Sequence, residues 1–183
     1  MKQVALLAVV LAATVACAPS PDPRQAQVIL DAMTPAPGVI ATGKLDAADV
    51  ASLEAMGIRH VVDLSLDGET PDFDEAAAVR AQGMAYSNLP LRGAADLTLD
   101  NVQAFDRLLR ESPRPVLVHC ASGNRVGAIA ALRAAWLEDR SVEEAITIGR
   151  AWGLTGLEDA VRRRLEAGPA SSDTPEIAPR ASD

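Results

Sequence analysis

Four short segments dense in apolar, partly β-branched residues recur along the chain, at residues 38–41, 60–65, 85–91 and 115–120. Such runs predict strands. Between them the apolar positions fall at helical spacing, over 47–56 stopped by Gly57, over 71–82 stopped by Gly83, and over 99–110 opened by Thr98. A glycine just past the last helical residue supplies the left-handed cap that ends a helix. After the fourth strand come helices predicted over 125–138, over 141–152 with a Ser141/Glu144 capping box, and over 156–166 with a Thr155/Glu158 box. Strand alternates with helix, and helices then finish the chain. The pattern predicts an α/β domain with a short, mainly parallel central sheet flanked by helices, whose ligand site lies beyond the carboxyl ends of the strands.

The two ends break this pattern. Lys2 precedes an uncharged apolar run over 4–15, closed by small residues before Cys17, which reads as an export signal over 1–16. Its apolar core is shorter than the roughly 20 residues that span a bilayer, so removal is expected. The end of the segment resembles a bacterial lipoprotein signal, in which cleavage leaves the cysteine, here Cys17, as a lipid-modified N-terminus. Thr14 stands where a larger aliphatic residue is usual, so cleavage to a free soluble protein stays open. The expectation is an exported protein of the cell envelope or periplasm, held to a membrane through a lipid on Cys17. Residues 17–37 and 168–183 are rich in Pro, Ala, Ser and Asp, and read as a flexible tether and a disordered tail around one domain over 38–167.

Charge narrows the function. The net charge is −8, and the one dense basic cluster, Arg162-Arg163-Arg164, falls near a helix C-terminus where cations suit the dipole. Nucleic acid is therefore excluded as a partner. The chain has two histidines, neither at ligand spacing with cysteine or carboxylate, so no metal site and no cofactor are expected.

The chemistry concentrates after the fourth strand, in His119-Cys120-Ala121-Ser122-Gly123-Asn124-Arg125. An apolar strand delivers Cys120 into a glycine-containing turn that opens a helix. Backbone N–H groups of residues 121–125 then converge on one point, a nest that binds an anion and favours a thiolate over a thiol. Cys120 is the candidate nucleophile, Arg125 the candidate anion clamp, and Ala121, Ser122, Gly123 and Asn124 complete the anion-binding loop. His119 is expected to orient that loop or to hydrogen-bond nearby backbone at the strand end.

The His119-Cys120-x-x-Gly123-x-Arg125 loop, with Gly57-Ile58-Arg59-His60-Val61-Val62-Asp63-Leu64 upstream and Tyr86-Ser87-Asn88-Leu89-Pro90 between, resembles the cysteine-dependent protein tyrosine and dual-specificity phosphatases. It is most similar to their bacterial branch of beta-lactamase-hydrolase-like, phosphatase-like domains, over about residues 38–165. The resemblance implies a three-layer protein-tyrosine-phosphatase-like fold and a small anionic or phosphorylated substrate. It further implies a phosphocysteine intermediate on Cys120 and a general acid from a loop ahead of the cysteine strand, for which Asp96 is the candidate. Asp63 is the other carboxylate near the sheet edge, with a turn or cap role expected. Four residues separate Cys120 from Arg125, where ordinary phosphatases have five, and Val126 stands where they place a hydroxyl. The bacterial branch shares this shorter loop, and so do rhodaneses, whose cysteine carries an extra sulfur atom. A sulfurtransferase with a persulfide on Cys120 and a non-catalytic anion-binding module therefore remain alternatives.

Overall fold

The computed structural model describes residues 35–169; the signal and lipidation expectations at 1–17, and nearly all of the tether and the tail, lie outside the described residues. Four strands, β1 (Val39–Thr42), β2 (His60–Asp63), β3 (Ala85–Asn88) and β4 (Val116–His119), form one parallel sheet in the order β1-β4-β2-β3. Six helices accompany them: α1 (Ala47–Leu53), α2 (Glu75–Ala81), α3 (Leu99–Glu111), α4 (Asn124–Leu137), α5 (Val142–Ala151) and α6 (Glu158–Ala167). The α/β class and the helix-flanked parallel sheet expected from the sequence are what the chain forms. None of the described helices is long and apolar enough to cross a membrane.

Side-chain alternation along each strand divides the interior in two. Ile40, Val61 and Leu117 face one way and pack with Val50, Leu53 and Val79 of α1 and α2. Val39, Val62, Val116 and Val118 face the other way, against Phe105, Ile129, Leu132 and Ile146 of α3, α4 and α5. Trp152 closes that second layer edge-on to Phe105, with ring centroids 6.1 Å apart and planes at 72°. The same alternation continues past β4. Cys120 is buried with the second layer, while His119 turns toward α2.

Three local expectations are corrected. The second strand stops at Asp63 rather than at 65, because the Asp63 carboxylate accepts from the Ser65 N–H at 2.7 Å and turns the chain. The second helix begins at Glu75, not at Pro71, since Asp74 is the residue whose side chain caps it, accepting from the Ala77 N–H at 2.9 Å. The Thr155/Glu158 box does not form. Glu158 instead pairs with Arg150 and Arg162, at 2.7 and 3.1 Å, whereas the Ser141/Glu144 box is made as expected.

Candidate active site

Strand β4 carries Cys120 to the carboxyl edge of the sheet, between β1 and β2, and helix α4 starts four residues later. Gly123 holds φ +80°, a left-handed conformation that glycine adopts without strain, and so turns the chain directly into α4. Cys120 is a free, fully buried thiol. Around it, none of the N–H groups of residues 121–125 donates to a carbonyl or a side chain among the described residues. These are the orphan donors of a helix N-terminus together with those of its approach loop. The carbonyl of Ala121 faces away, accepting from the Lys44 N–H at 3.3 Å. The arrangement is a concentration of positive dipole with no acceptor of its own, which is what an oxyanion requires.

The loop is braced from behind. The Asn124 side-chain oxygen accepts from the N–H groups of Thr155 and Leu157, at 2.9 and 3.2 Å, tying the start of α4 to the connection between α5 and α6. The Asn124 side-chain oxygen is thus committed to this clamp. One turn later, Gly127 lies so close to that connection that a Cβ there would sit 2.0 Å from the Leu154 nitrogen.

Arg125 reaches back across the sheet edge. Its Nη1 and Nη2 donate to the two oxygens of Glu69, each at 2.6 Å, and Nη1 also donates to the Leu91 carbonyl at 2.7 Å. The Glu69 carboxylate, more than any other group, holds the guanidinium pKa above its ordinary value, and the adjacent Cys120 adds to this through its charge and a hydrogen bond. In return the Arg125 hydrogen bond draws Glu69 below the ordinary carboxylate value, with a smaller contribution from the Lys44 charge. Glu69 thus occupies the end-on fork of the guanidinium. The Nε/Nη2 edge remains, and that edge is itself a bidentate donor for an oxyanion. Sequence reasoning missed Glu69, which sits in a one-turn 3-10 helix (Asp67–Glu69) 56 residues before its partner; no local signal pointed to it.

Asp96 lies in a second one-turn 3-10 helix (Ala94–Asp96), a few residues after Leu91, whose carbonyl accepts from Arg125. It accepts from the Arg92 N–H at 2.8 Å and from the Arg92 guanidinium at 3.0 and 3.1 Å. The guanidinium hydrogen bond, ahead of the backbone one, lowers its pKa. In this arrangement Asp96 is a paired carboxylate.

Of the two roles expected of His119, a hydrogen bond to nearby backbone is not made. Neither ring nitrogen bonds to backbone; Nε2 lies 2.7 Å from Glu75 Oε1 and 3.5 Å from Asp63 Oδ1, with all three residues buried. Asp63 is held by three donors, the Ser65 N–H, the Tyr86 hydroxyl at 2.9 Å and Asn88 Nδ2 at 3.3 Å. Burial, and then the Asp63 charge, keep the Tyr86 phenol protonated well above its usual range. Spacing along the chain sets neither histidine beside a carboxylate; folding does, and these three residues are a group with the donor types of a metal site. Val126 is fully buried, so no hydroxyl stands at the position after the arginine.

Known proteins share this architecture. A beta-lactamase hydrolase-like protein of Xylella fastidiosa is 35% identical over 96 residues, which make up 50% of this chain and 22% of that relative, so the chain spans about a fifth of its length. Among solved structures, a phosphatase candidate from Neisseria meningitidis superposes with a TM-score of 0.62 at 23% identity, covering 72% of this chain and 94% of the other. The P. aeruginosa protein TpbA, solved with phosphotyrosine, gives a TM-score of 0.51 at 20% identity over 70% of this chain and 78% of its own. At that identity the structural likeness establishes the fold, which is that of the tyrosine-phosphatase-like proteins. Residues 30–136 match the family model of the phosphatase-like domain of beta-lactamase hydrolase-like proteins, and the chain belongs to that family.

Proposed function

We propose that the chain hydrolyses phosphate monoesters through a phosphocysteine intermediate on Cys120. The observation that carries this reading is the set of uncommitted N–H groups over residues 121–125, gathered with the Arg125 guanidinium around a buried thiol. Charge on a phosphoryl group in transfer spreads over three equatorial oxygens, and a ring of amides plus a planar guanidinium matches that distribution. The Cys120 thiolate attacks phosphorus in line, a P–S bond forms, and the ester P–O bond breaks. Asp96 gives the leaving oxygen its proton once Arg92 has released it. Water then attacks phosphorus and gives a proton to the Asp96 carboxylate, the P–S bond breaks, orthophosphate leaves, and the thiolate and the protonated acid are restored. TpbA, which binds phosphotyrosine, makes aryl phosphates the first substrates to try. Export and anchoring at Cys17 belong to the same proposal, resting on the apolar run over 4–15.

Purified protein under reducing conditions should release phosphate from an aryl phosphate, and Cys120→Ser should lower turnover by at least about 10⁴-fold, as loss of a nucleophile does. Turnover that survives this substitution would sink the reading. The four-residue spacing between Cys120 and Arg125 favours a second reading, transfer of sulfur from thiosulfate through a Cys120 persulfide. Thiocyanate formation from thiosulfate and cyanide, with no phosphate release from the ester, would establish that instead.

A further inference from the structure

We propose that Asp63, Glu75 and His119 bind one divalent cation of the zinc and manganese class, on the face of the sheet opposite Cys120. The three residues come from β2, α2 and β4, and each has a ligand atom within 4.8 Å of the other two. Burial is nearly complete, with His119 1%, Glu75 5% and Asp63 7% exposed. Glu75 Oε1 and His119 Nε2 approach to 2.7 Å, yet both atoms remain without a hydrogen-bond partner of proper geometry, as does His119 Nδ1. A buried carboxylate oxygen and a buried imidazole nitrogen left in this state are costly unless something else engages them. A hydrogen bond along the ring N–H would satisfy both; this contact is off that axis. A cation on the Nε2 lone pair, flanked by the two carboxylates, engages Nε2 and Glu75 Oε1 at once and leaves the ring proton on Nδ1.

The donor set of one imidazole and two carboxylates suits zinc or manganese. Ligand atoms about 2.0–2.2 Å from such an ion stand roughly 2.8–3.6 Å apart. The 3.5 Å between Nε2 and Asp63 Oδ1 falls inside that range, and the 2.7 Å contact needs to open by a few tenths. Asp63 already has the outer support typical of a metal-ligating carboxylate, from the Tyr86 hydroxyl, Asn88 and the Ser65 N–H. A cavity of about 300 Å³, lined by Asp63, Glu75, Tyr86 and the exposed Asp67 and Asp74, leads to the cluster. Four carboxylates along one cavity draw a cation in and repel the phosphate esters proposed for the other face.

The site needs none of the groups assigned to phosphoryl transfer, so the test is run on protein that cannot turn over. In the full chain with both cysteines replaced by serine, no thiol competes for metal. Titration with Zn²⁺, followed by calorimetry, should show one equivalent bound, and Co²⁺ should give a visible band of nitrogen and oxygen coordination. Because the chain has two histidines, NMR of the ring nitrogens identifies which one responds, and the His119 signals should shift. Glu75→Gln, which keeps the volume, and the double change Asp63→Asn/Glu75→Gln should each weaken Zn²⁺ binding by at least about 10–100-fold, with the fold checked by circular dichroism. No binding by the parent protein, or binding unchanged in folded Glu75→Gln, overturns the proposal and leaves the cluster a plain buried ion pair. Loss of phosphatase activity with binding intact would fail only the reading of Cys120.

Discussion

The two sides of the end of β4 are opposite in polarity, although adjacent residues define them. On the Cys120 side the surplus is of donors: loop amides without acceptors and a guanidinium edge left over from Glu69. On the His119 side the surplus is of acceptors, with two buried carboxylates around one imidazole. The donor side is built by local chain geometry, a glycine turn and the first turn of a helix. The acceptor side is assembled from three elements distant in sequence. Alternation along a single strand is enough to keep them apart, since consecutive side chains leave it on opposite faces.

After loss of the Cys120 nucleophile itself, the largest effect should come from removing the bidentate edge on the donor side. Arg125→Lys keeps the charge but not the fork, and should lower kcat/KM for an aryl phosphate by about 10³-fold; full activity in that variant would mean that the amides alone suffice. Next comes the proton. Asp96→Asn should cost about 10²-fold on an alkyl phosphate and much less on an ester with a good leaving group, so a ratio of the two rates that does not change would remove Asp96 from the mechanism.

On the acceptor side, Tyr86→Phe deletes the hydroxyl that donates to Asp63. It should destabilise the protein by about 1–2 kcal/mol, read as a drop of a few degrees in Tm, with turnover of the bound ester little changed. Smallest is the pH effect of the Glu69–Arg125 pair. Because the folded pKa of Glu69 is depressed, its stabilisation is present above the ordinary value of 4.5 and is lost as pH falls through the folded value. Tm should therefore fall between about pH 5 and pH 3 slightly less steeply in Glu69→Gln than in the parent; identical curves would show that the pair contributes nothing.

These contrasts follow what the sequence made legible. The donor side was readable because Cys120, Gly123 and Arg125 are neighbours, and spacing alone sets a nest at a helix start. The sheet was readable too, since β1, β2 and β4 are apolar runs that feed both buried layers. Glu69 and Glu75 were not. Each sits in or beside a short turn-rich stretch after β2, where Pro71 and Gly68 look like ordinary loop residues, and each finds its partner 56 or 44 residues later. Asn124 was half legible: its position in the loop showed, but its attachment to Thr155 and Leu157 needs the return of the chain through α5. The late start of α2 has the same origin, a choice between Pro71 and Asp74 that a side-chain hydrogen bond decides.

The clamp from Asn124 bears on where the working unit ends. The family match stops at residue 136, within α4, after every group proposed to react. A fragment cut there would keep thiol, arginine and amides, yet lose the segment that Asn124 grips and against which Gly127 is fitted. Modularity in this protein is thus set by the scaffold behind the loop rather than by the chemistry in front of it, and a transplant of the motif into another protein has to bring that scaffold along.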